Sequence, residues 1–336
     1  MNIAVDAMGG DYAPEVVVQG AFQAAIELDM DITLVGDRRA IGDELRANHD
    51  RTHIGVHHCE EAVLMEEPPL KAVRQKKQSS IRVAFDLIKK GKVDAVVSAG
   101  NSGASLAAGV LTLGRIGGVE RPALATILPG NEGEVILVDV GANVDCRPMH
   151  LFQFGIMANA FASSCLNMDD PSIGLLSIGE EGGKGNEQVR LAHDLFRASR
   201  LNFVGNVEGR DIFTGKVQII VCDGFVGNVA LKLSEGMAVA MSNMFEKEMM
   251  SSLAGKIGLL LGRRSFKKFN KKLDYAEYGG ALILGINGVG IVCHGDSSAR
   301  AIKNAVKMAS NYVKNNIQRN LSIKMSDFYI NMAQAG

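Results

Sequence analysis

The feature that most constrains this chain is a recurring unit: a short β-branched apolar run that ends in Gly, Asp or Asn and gives way to a helical pattern. It occurs as NIAVDAMGGD, DITLVGD, VDAVVSAGNSG, VILVDVGAN, SIGLLSIGEEGG, VQIIVCDGFVGN and GIVCHGD. Strands separated by helices return to the sheet through crossovers, so the alternation predicts an α/β fold with a mainly parallel sheet covered on both faces. In such sheets ligands collect where the carboxyl ends of strands meet the following helices. The loops after the strands are therefore the places to look for chemistry. A chain of 336 residues fits one large catalytic unit over 1–336 or two lobes sharing a sheet.

Composition narrows the class. With 47% apolar and 22% charged residues, the chain reads as a soluble globular protein. No run reaches the roughly 18 apolar residues of a membrane span, and Asp6 interrupts any signal-peptide pattern in MNIAVDAMGGD, which predicts a cytosolic protein. Basic and acidic residues nearly balance, and no nucleic-acid partner is expected. Cys59, Cys146, Cys165, Cys222 and Cys293 are scattered, odd in number and never spaced as CxxC, which predicts reduced, mostly buried thiols. In HIGVHHCEE at 53–61 a strand would send His57 and His58 to opposite faces, so no metal is expected there.

Two loops suit an anion. SAGNSGAS at 98–105 follows an apolar strand and precedes a helical run. Its small residues Gly100, Asn101, Ser102 and Gly103 would let backbone N–H groups approach a phosphate at a helix N-terminus. The same residues also fit a plain strand-to-helix turn capped by Asn101 and Ser102. GEEGGKGNE at 179–187 presents Lys184 in a Gly-rich loop, but it is not the G-x-x-x-x-G-K-[ST] of nucleotide triphosphatases. Asp6 and Asp11 flank the Gly-Gly turn of AMGGDYAPE, either as caps or to orient basic side chains. KAVRQKKQSSIR at 71–82 holds five basic residues and no acid, as a solvated face or a seat for an acidic partner or substrate. INGVGIVCHG at 286–295 is a poor dinucleotide fingerprint, with Cys293 where the third Gly belongs, and G-x-S-x-G is absent, which argues against nicotinamide chemistry and serine hydrolysis.

The second half holds a helix pair over 225–278. From Phe225 to about Ser252, Val229, Leu233, Met237, Met241 and Met244 form a helical stripe, read as core or dimer contact rather than a ligand groove. A second helix is predicted from near Ser265 to before Gly279. Between them AGKIGLLLGRRSFKKFNKK, 254–272, sets seven basic residues and no acid beside GLLL, at the expected tip of the pair.

Taken in order, VDAMGGDYAPE, SAGNSGA, VDVGAN followed by DCRP, IGEEGGKGNE, VCDGFVGNVALK and GVGIVCHGDSSARAI resemble the bacterial phosphate acyltransferases of phospholipid synthesis over nearly the whole chain. The resemblance implies an α/β/α sandwich like that of phosphate acetyltransferase and the isocitrate and isopropylmalate dehydrogenases, a homodimer, and no nicotinamide or other cofactor. It implies transfer of a fatty acyl group from acyl carrier protein to inorganic phosphate. The alternatives are a short-chain or coenzyme A-dependent phosphate acyltransferase and an NAD(P)-dependent oxidoreductase of the same fold. DGFVGN resembles the segment in which phosphate acetyltransferases keep an active-site aspartate, which would be Asp223.

That chemistry asks little proton help. The second pKa of a phosphate ester is about 6, and a thiol of pKa about 8.5 leaves readily as thiolate. Positioning and oxyanion stabilisation carry the burden. The candidate roles are phosphate binding by Lys184 and the 100–104 backbone, donation to the thioester oxygen by Asn143 and Asn228, and orientation or deprotonation of the nucleophile by Asp223, with His294 considered as a proton donor to the thiolate and a covalent route through Cys146 or Cys222 as an alternative. A greasy product favours release at a bilayer, so Leu259, Leu260, Leu261, Arg263, Arg264, Lys267, Lys268 and Lys271 are read as a tip that docks on an anionic membrane surface or receives the acidic carrier protein. The competing reading is a solvated basic helix whose GLLL packs in the dimer.

Overall fold

All seven predicted runs are strands, and among the described residues four further strands join them in one sheet of eleven. The computed structural model describes residues 1–46, 53–273 and 279–335. In chain order the strands are β1 (Asn2–Asp6), β2 (Asp31–Gly36), β3 (Ile54–His58), β4 (Ala95–Ser98), β5 (Ala123–Pro129), β6 (Glu134–Val138), β7 (Ile173–Leu176), β8 (Phe203–Val207), β9 (Ile219–Val221), β10 (Ala281–Leu284) and β11 (Val289–Val292). Their order across the sheet is β3-β2-β1-β4-β11-β10-β5-β6-β9-β7-β8.

The outer strands pair in parallel, as crossover connections require. The centre does not: β11–β10, β10–β5 and β5–β6 are antiparallel. Two of these central pairs join strands close in sequence, with β5 turning into β6 over four residues and β10 into β11 over four. The helix-separated pattern of the sequence does not contain them. Their effect is to reverse direction across the middle, so β1, β4 and β11 end at one edge of the sheet while β6, β7 and β9 end at the other.

Helices cover both faces. One face packs on α1 (Glu15–Leu28), α2 (Arg38–Leu45), α6 (Pro148–Cys165), α7 (Glu187–Arg197), α10 (Ala299–Lys314) and α11 (Ile317–Ala335), and the other on α3 (Pro69–Gln75), α4 (Ser80–Lys89) and α5 (Ser102–Leu113). Period-two alternation splits each strand between these cores; in β5, Ala123 and Ala125 face one and Leu124 and Leu128 the other.

The predicted helix pair starts and turns elsewhere than expected. α8 runs Gly224–Met250 and α9 runs Leu253–Leu273, so the second helix begins at Leu253 rather than near Ser265. The basic and apolar run is thus the body of α9, and the turn is Ser251–Ser252. Glycines at 255, 258 and 262 have low helix propensity, but α9 runs through them and packs along α8. Phe245 stacks on Phe266 with ring centroids 5.0 Å apart, which ties the two helices. The Met stripe is not core: Leu233, Met237, Met241 and Met244 are 58–71% exposed. Arg263, Arg264, Leu260 and Leu261 are exposed and Leu259 is half-buried. The side chains of Lys267, Lys268 and Lys271, and residues 274–278 of the predicted pair, lie outside the described residues. No described helix is long and apolar enough to cross a membrane.

Candidate active site

Between α5 and α8 one face of the sheet carries a cleft of about 500 Å3. Leu124, Thr126 and Leu128 of β5 form its floor. Its walls bring together chain segments far apart in sequence: Asp11 and Ser102 after β1 and β4, His294 to Ser297 after β11, and Asn228, Lys232 and Glu235 of α8.

The loops after β1 and β4 are locked to each other. Asp6, buried, accepts from the Ser98 hydroxyl at 2.8 Å and the Met8 N–H at 3.2 Å, and the Ser98 oxygen accepts the Gly100 N–H at 3.1 Å. Burial pushes the Asp6 carboxyl above the usual carboxylate range, against those hydrogen bonds. A Cβ on Gly9 would stand 2.7 Å from both Asp6 Oδ2 and the Gly100 nitrogen, so only glycine permits this approach. Asn101 caps α5 by accepting from Ala104 N–H at 3.0 Å and donates its amide to the Met65 and Glu67 carbonyls. Gly100 and Asn101 are thereby occupied structurally, and a Cβ on Gly103 would meet Pro69 at 2.7 Å. Ser102, at the first turn of α5, is the residue of this loop that lines the cleft.

Across the cleft His294 Nε2 lies 2.9 Å from Glu235 Oε1. That hydrogen bond raises the imidazole pKa above its ordinary 6.5, burial opposes it, and the charges of Glu235 and Asp296 add to the rise. Because the folded value is the higher one, the pair contributes stability in full below the unfolded pKa and loses it as pH rises through the folded one. An NMR titration of His294 is expected to give a midpoint above 6.5, moving down in Glu235→Gln. An unmoved midpoint in that variant would show that Glu235 does not set the charge.

Ser297 adds a second polar anchor. Its side chain is 4% exposed, it lines the cleft, and its hydroxyl has no hydrogen-bond partner among the described residues. An unpaired buried hydroxyl costs about 1–3 kcal/mol, and a bound polar ligand would remove that cost. Ser297→Ala is expected to leave the urea midpoint unchanged or higher while weakening anion binding, read by phosphate protection against unfolding. A lower midpoint with unchanged protection would make the hydroxyl structural.

The other candidate residues are distributed differently. Asn228 lines the cleft, its amide over Gly141, whose ideal Cβ would lie 3.6 Å from the Asn228 side chain. Asn143 lies deeper: its amide nitrogen donates to Pro122 O at 2.8 Å and Asp139 Oδ2 at 2.9 Å. Both amide hydrogens are spent, which leaves none for a thioester oxygen. Asp139 is the hub of that loop, accepting also from the N–H groups of Leu124, Gly141, Ala142 and Asn143. Burial raises its pKa against these donors. Asp223 caps α8, accepting from Val226 N–H at 2.9 Å, and does not line the cleft. Lys184 is exposed in the loop before α7, away from the cleft lining. β7, which precedes the Lys184 loop, is separated from β5, the floor of the cleft, by β6 and β9.

The thiols are not activated. Burial pushes Cys59, Cys146, Cys165 and Cys293 up to about 12 and Cys222 well above its ordinary value, the reverse of what a nucleophile needs. Sequence reasoning missed Lys232, Glu235 and Ser297. The first two had a signal: Asn228, Lys232 and Glu235 form a polar stripe at i, i+4 and i+7 on a helix otherwise rich in Met.

A family model described as "Fatty acid synthesis protein" matches residues 1–320. A phosphate acyltransferase of Nitratidesulfovibrio vulgaris (strain DP4) is 54% identical over 314 residues, covering 93% of this chain and 91% of that protein. Among solved structures, a phosphotransacetylase from Streptococcus pyogenes superposes with a TM-score of 0.63 at 17% identity, covering 93% of this chain and 94% of that one. A 4-hydroxythreonine-4-phosphate dehydrogenase from Klebsiella pneumoniae gives 0.53 at 14%, covering 93% and 99%. These two share the expected sandwich. Matched along almost its full length by sequence, the chain belongs to the fatty acid synthesis protein family, together with the phosphate acyltransferases.

Proposed function

We propose that this phosphate acyltransferase transfers a fatty acyl group from acyl carrier protein to inorganic phosphate, and that the cleft is where it does so. A phosphate oxygen attacks the thioester carbonyl carbon, the carbon–sulfur bond breaks, and the carrier leaves as thiolate and takes up a proton. Acyl phosphate and free carrier thiol result. The observation that carries the reading is the pairing of His294, whose imidazole is held by Glu235 and has its pKa raised by that contact, with the orphaned Ser297 hydroxyl in one cleft. With Lys232 and the N-terminal turn of α5 they make a seat for an anion. Asn228 is the donor proposed for the developing oxyanion. Asp223 acts in this reading through α8, whose first turn it caps.

The test uses purified protein and an acyl carrier thioester, with and without phosphate, following free thiol and hydroxylamine-trapped acyl phosphate. Thiol release that needs phosphate, matched by trapped product, is expected. Release independent of phosphate would make the protein a thioesterase and reject the proposal.

The reading extends to partners. Lys71, Arg74 and Lys77 are exposed in and just after α3, which packs against α5, and suit an acidic carrier. The exposed Met stripe of α8 supports a homodimer. Leu260 and Leu261, 71% and 82% exposed beside Arg263 and Arg264, support peripheral attachment to an anionic bilayer. Burying a Leu contributes about 1.5–3 kcal/mol and each nearby basic residue about 1 kcal/mol. Leu260→Glu is expected to abolish flotation with anionic vesicles while the assay in solution survives. Flotation equal to wild type would place attachment elsewhere.

A further inference from the structure

Between β3 and α3 the chain passes through a strap, residues 62–68, that is neither helix nor strand, and Met65 of this strap lines the cleft. Two side chains pin it. Lys76 Nζ donates to the Ala62 carbonyl at 2.8 Å and to Glu67 Oε2 at 2.7 Å, and the same Glu67 oxygen accepts the Leu64 N–H at 2.8 Å. The lysine contact holds the Glu67 carboxyl below the usual carboxylate range, and the Leu64 N–H adds to it. From α5 the Asn101 amide donates to Met65 O at 2.9 Å and Glu67 O at 3.2 Å. The strap is thus tied to the residue that caps α5, one place before Ser102 of the anion seat. Within its basic run Lys76 stands apart: it is 28% exposed and turned onto the strap, whereas Lys71, Arg74 and Lys77 are exposed.

The Met65 side chain ends on Gly295. A Cβ there would stand 2.9 Å from Met65 Cε and 3.3 Å from both Asp11 carboxylate oxygens, so glycine is what lets the thioether methyl reach the backbone directly after His294. We infer that Met65 determines specificity for phosphate over water by shielding the reacting carbonyl, with Lys76 as the positioning residue that sets the strap. The need is chemical. A thioester is open to hydrolysis: water oxygen would bond to the carbonyl carbon, the carbon–sulfur bond would break and one water proton would pass to sulfur, leaving fatty acid and carrier thiol. The charged groups of the seat attract phosphate but do not repel water, so exclusion has to come from an apolar group beside the seat. Met65 is placed there, and a flexible thioether can follow both the thioester and the differently shaped acyl phosphate.

The inference rests on the acyl-transfer reading, and the two fail differently. Full-length wild type, Met65→Ala, Met65→Leu and Lys76→Met are given an acyl carrier thioester with and without phosphate, and released thiol is compared with trapped acyl phosphate. Wild type is expected to release thiol only with phosphate and to form product in step with it. In Met65→Ala, release without phosphate is expected to rise about tenfold, equivalent to lowering the barrier to water by about 1.4 kcal/mol, and trapped product to fall short of thiol. Met65→Leu, apolar and of similar volume, is expected to keep the wild-type ratio. Lys76→Met, which loosens the strap and leaves the cleft lining intact, is expected to shift the ratio as Met65→Ala does; an unchanged ratio would remove its positioning role. A folding defect lowers thiol and product together, so equal loss of both, or a wild-type ratio in Met65→Ala, would overturn the inference alone. Thiol release by wild type that is absent or independent of phosphate would reject the acyl-transfer reading, and this inference with it.

Discussion

Replacing His294 by Ala is expected to lower kcat/KM for phosphate by roughly 10- to 150-fold, the equivalent of one charge-assisted hydrogen bond of about 1.5–3 kcal/mol. The imidazole stands at the end of β11, and Glu235 reaches it from α8 at 2.9 Å, so the ring proposed to meet phosphate is held from the opposite wall of the cleft. Wild-type kcat/KM should fall as pH rises through the raised pKa of His294, since the neutral ring no longer attracts an anion. The fall should be missing in His294→Ala and should begin at lower pH in Glu235→Gln. Lys232 remains in the cleft, so the Ala variant keeps residual phosphate dependence. A His294→Ala enzyme with the wild-type pH profile would remove His294 from the site.

Gly227→Ala is expected to destabilise the fold by about 3 kcal/mol or more. The first turn of α8 lies directly on the loop after β6: Gly224 N–H donates to Asn143 O at 2.7 Å, and a Cβ at Gly227 would stand 1.9 Å from the Asp139 carbonyl oxygen and 2.9 Å from Cys222 Sγ. Neither neighbour can yield. Asp139 is held by its hydrogen bonds and the Cys222 side chain is buried between β6 and α8. Any relief moves the N-terminus of α8, and with it Asn228, Lys232 and Glu235, so activity should fall together with stability. Gly236→Ala is the contrast on the same helix. Its Cβ would meet nothing within 4 Å, and a helix interior gains roughly 0.5–1 kcal/mol from the exchange. Urea midpoints should therefore move in opposite directions. A Gly227→Ala midpoint equal to wild type would refute the close packing of α8 on this loop.

The contrast explains what DGFVGN means in the sequence. The resemblance pointed to Asp223 as an active-site aspartate, and the structure gives it the capping of α8, while its glycines set how closely that helix approaches the sheet. The neighbouring Asn228 reaches the cleft because it comes one residue after the tight contact. Lys184 had the composition of a phosphate loop, but composition carries no information about which sheet edge a loop occupies.

By itself the sequence determined the alternation of strand and helix, and with it a mainly parallel sheet between helix layers, because period-two and period-3.6 patterns are local properties of neighbouring residues. It also determined the family, through ordered motifs over nearly the whole chain. Tertiary structure alone decided which motifs meet. The β5–β6 and β10–β11 pairs are joined by short turns and carry no crossover signal, yet they place β5 at the centre of the sheet as the cleft floor, near Ser102 and His294, and leave β7 and the Lys184 loop beyond β6 and β9. The Glu235–His294 pair spans 59 positions in sequence and 2.9 Å in space, and a contact of that kind has no local pattern: it exists only because a long helix, admitted by two glycines, crosses the open face of the sheet.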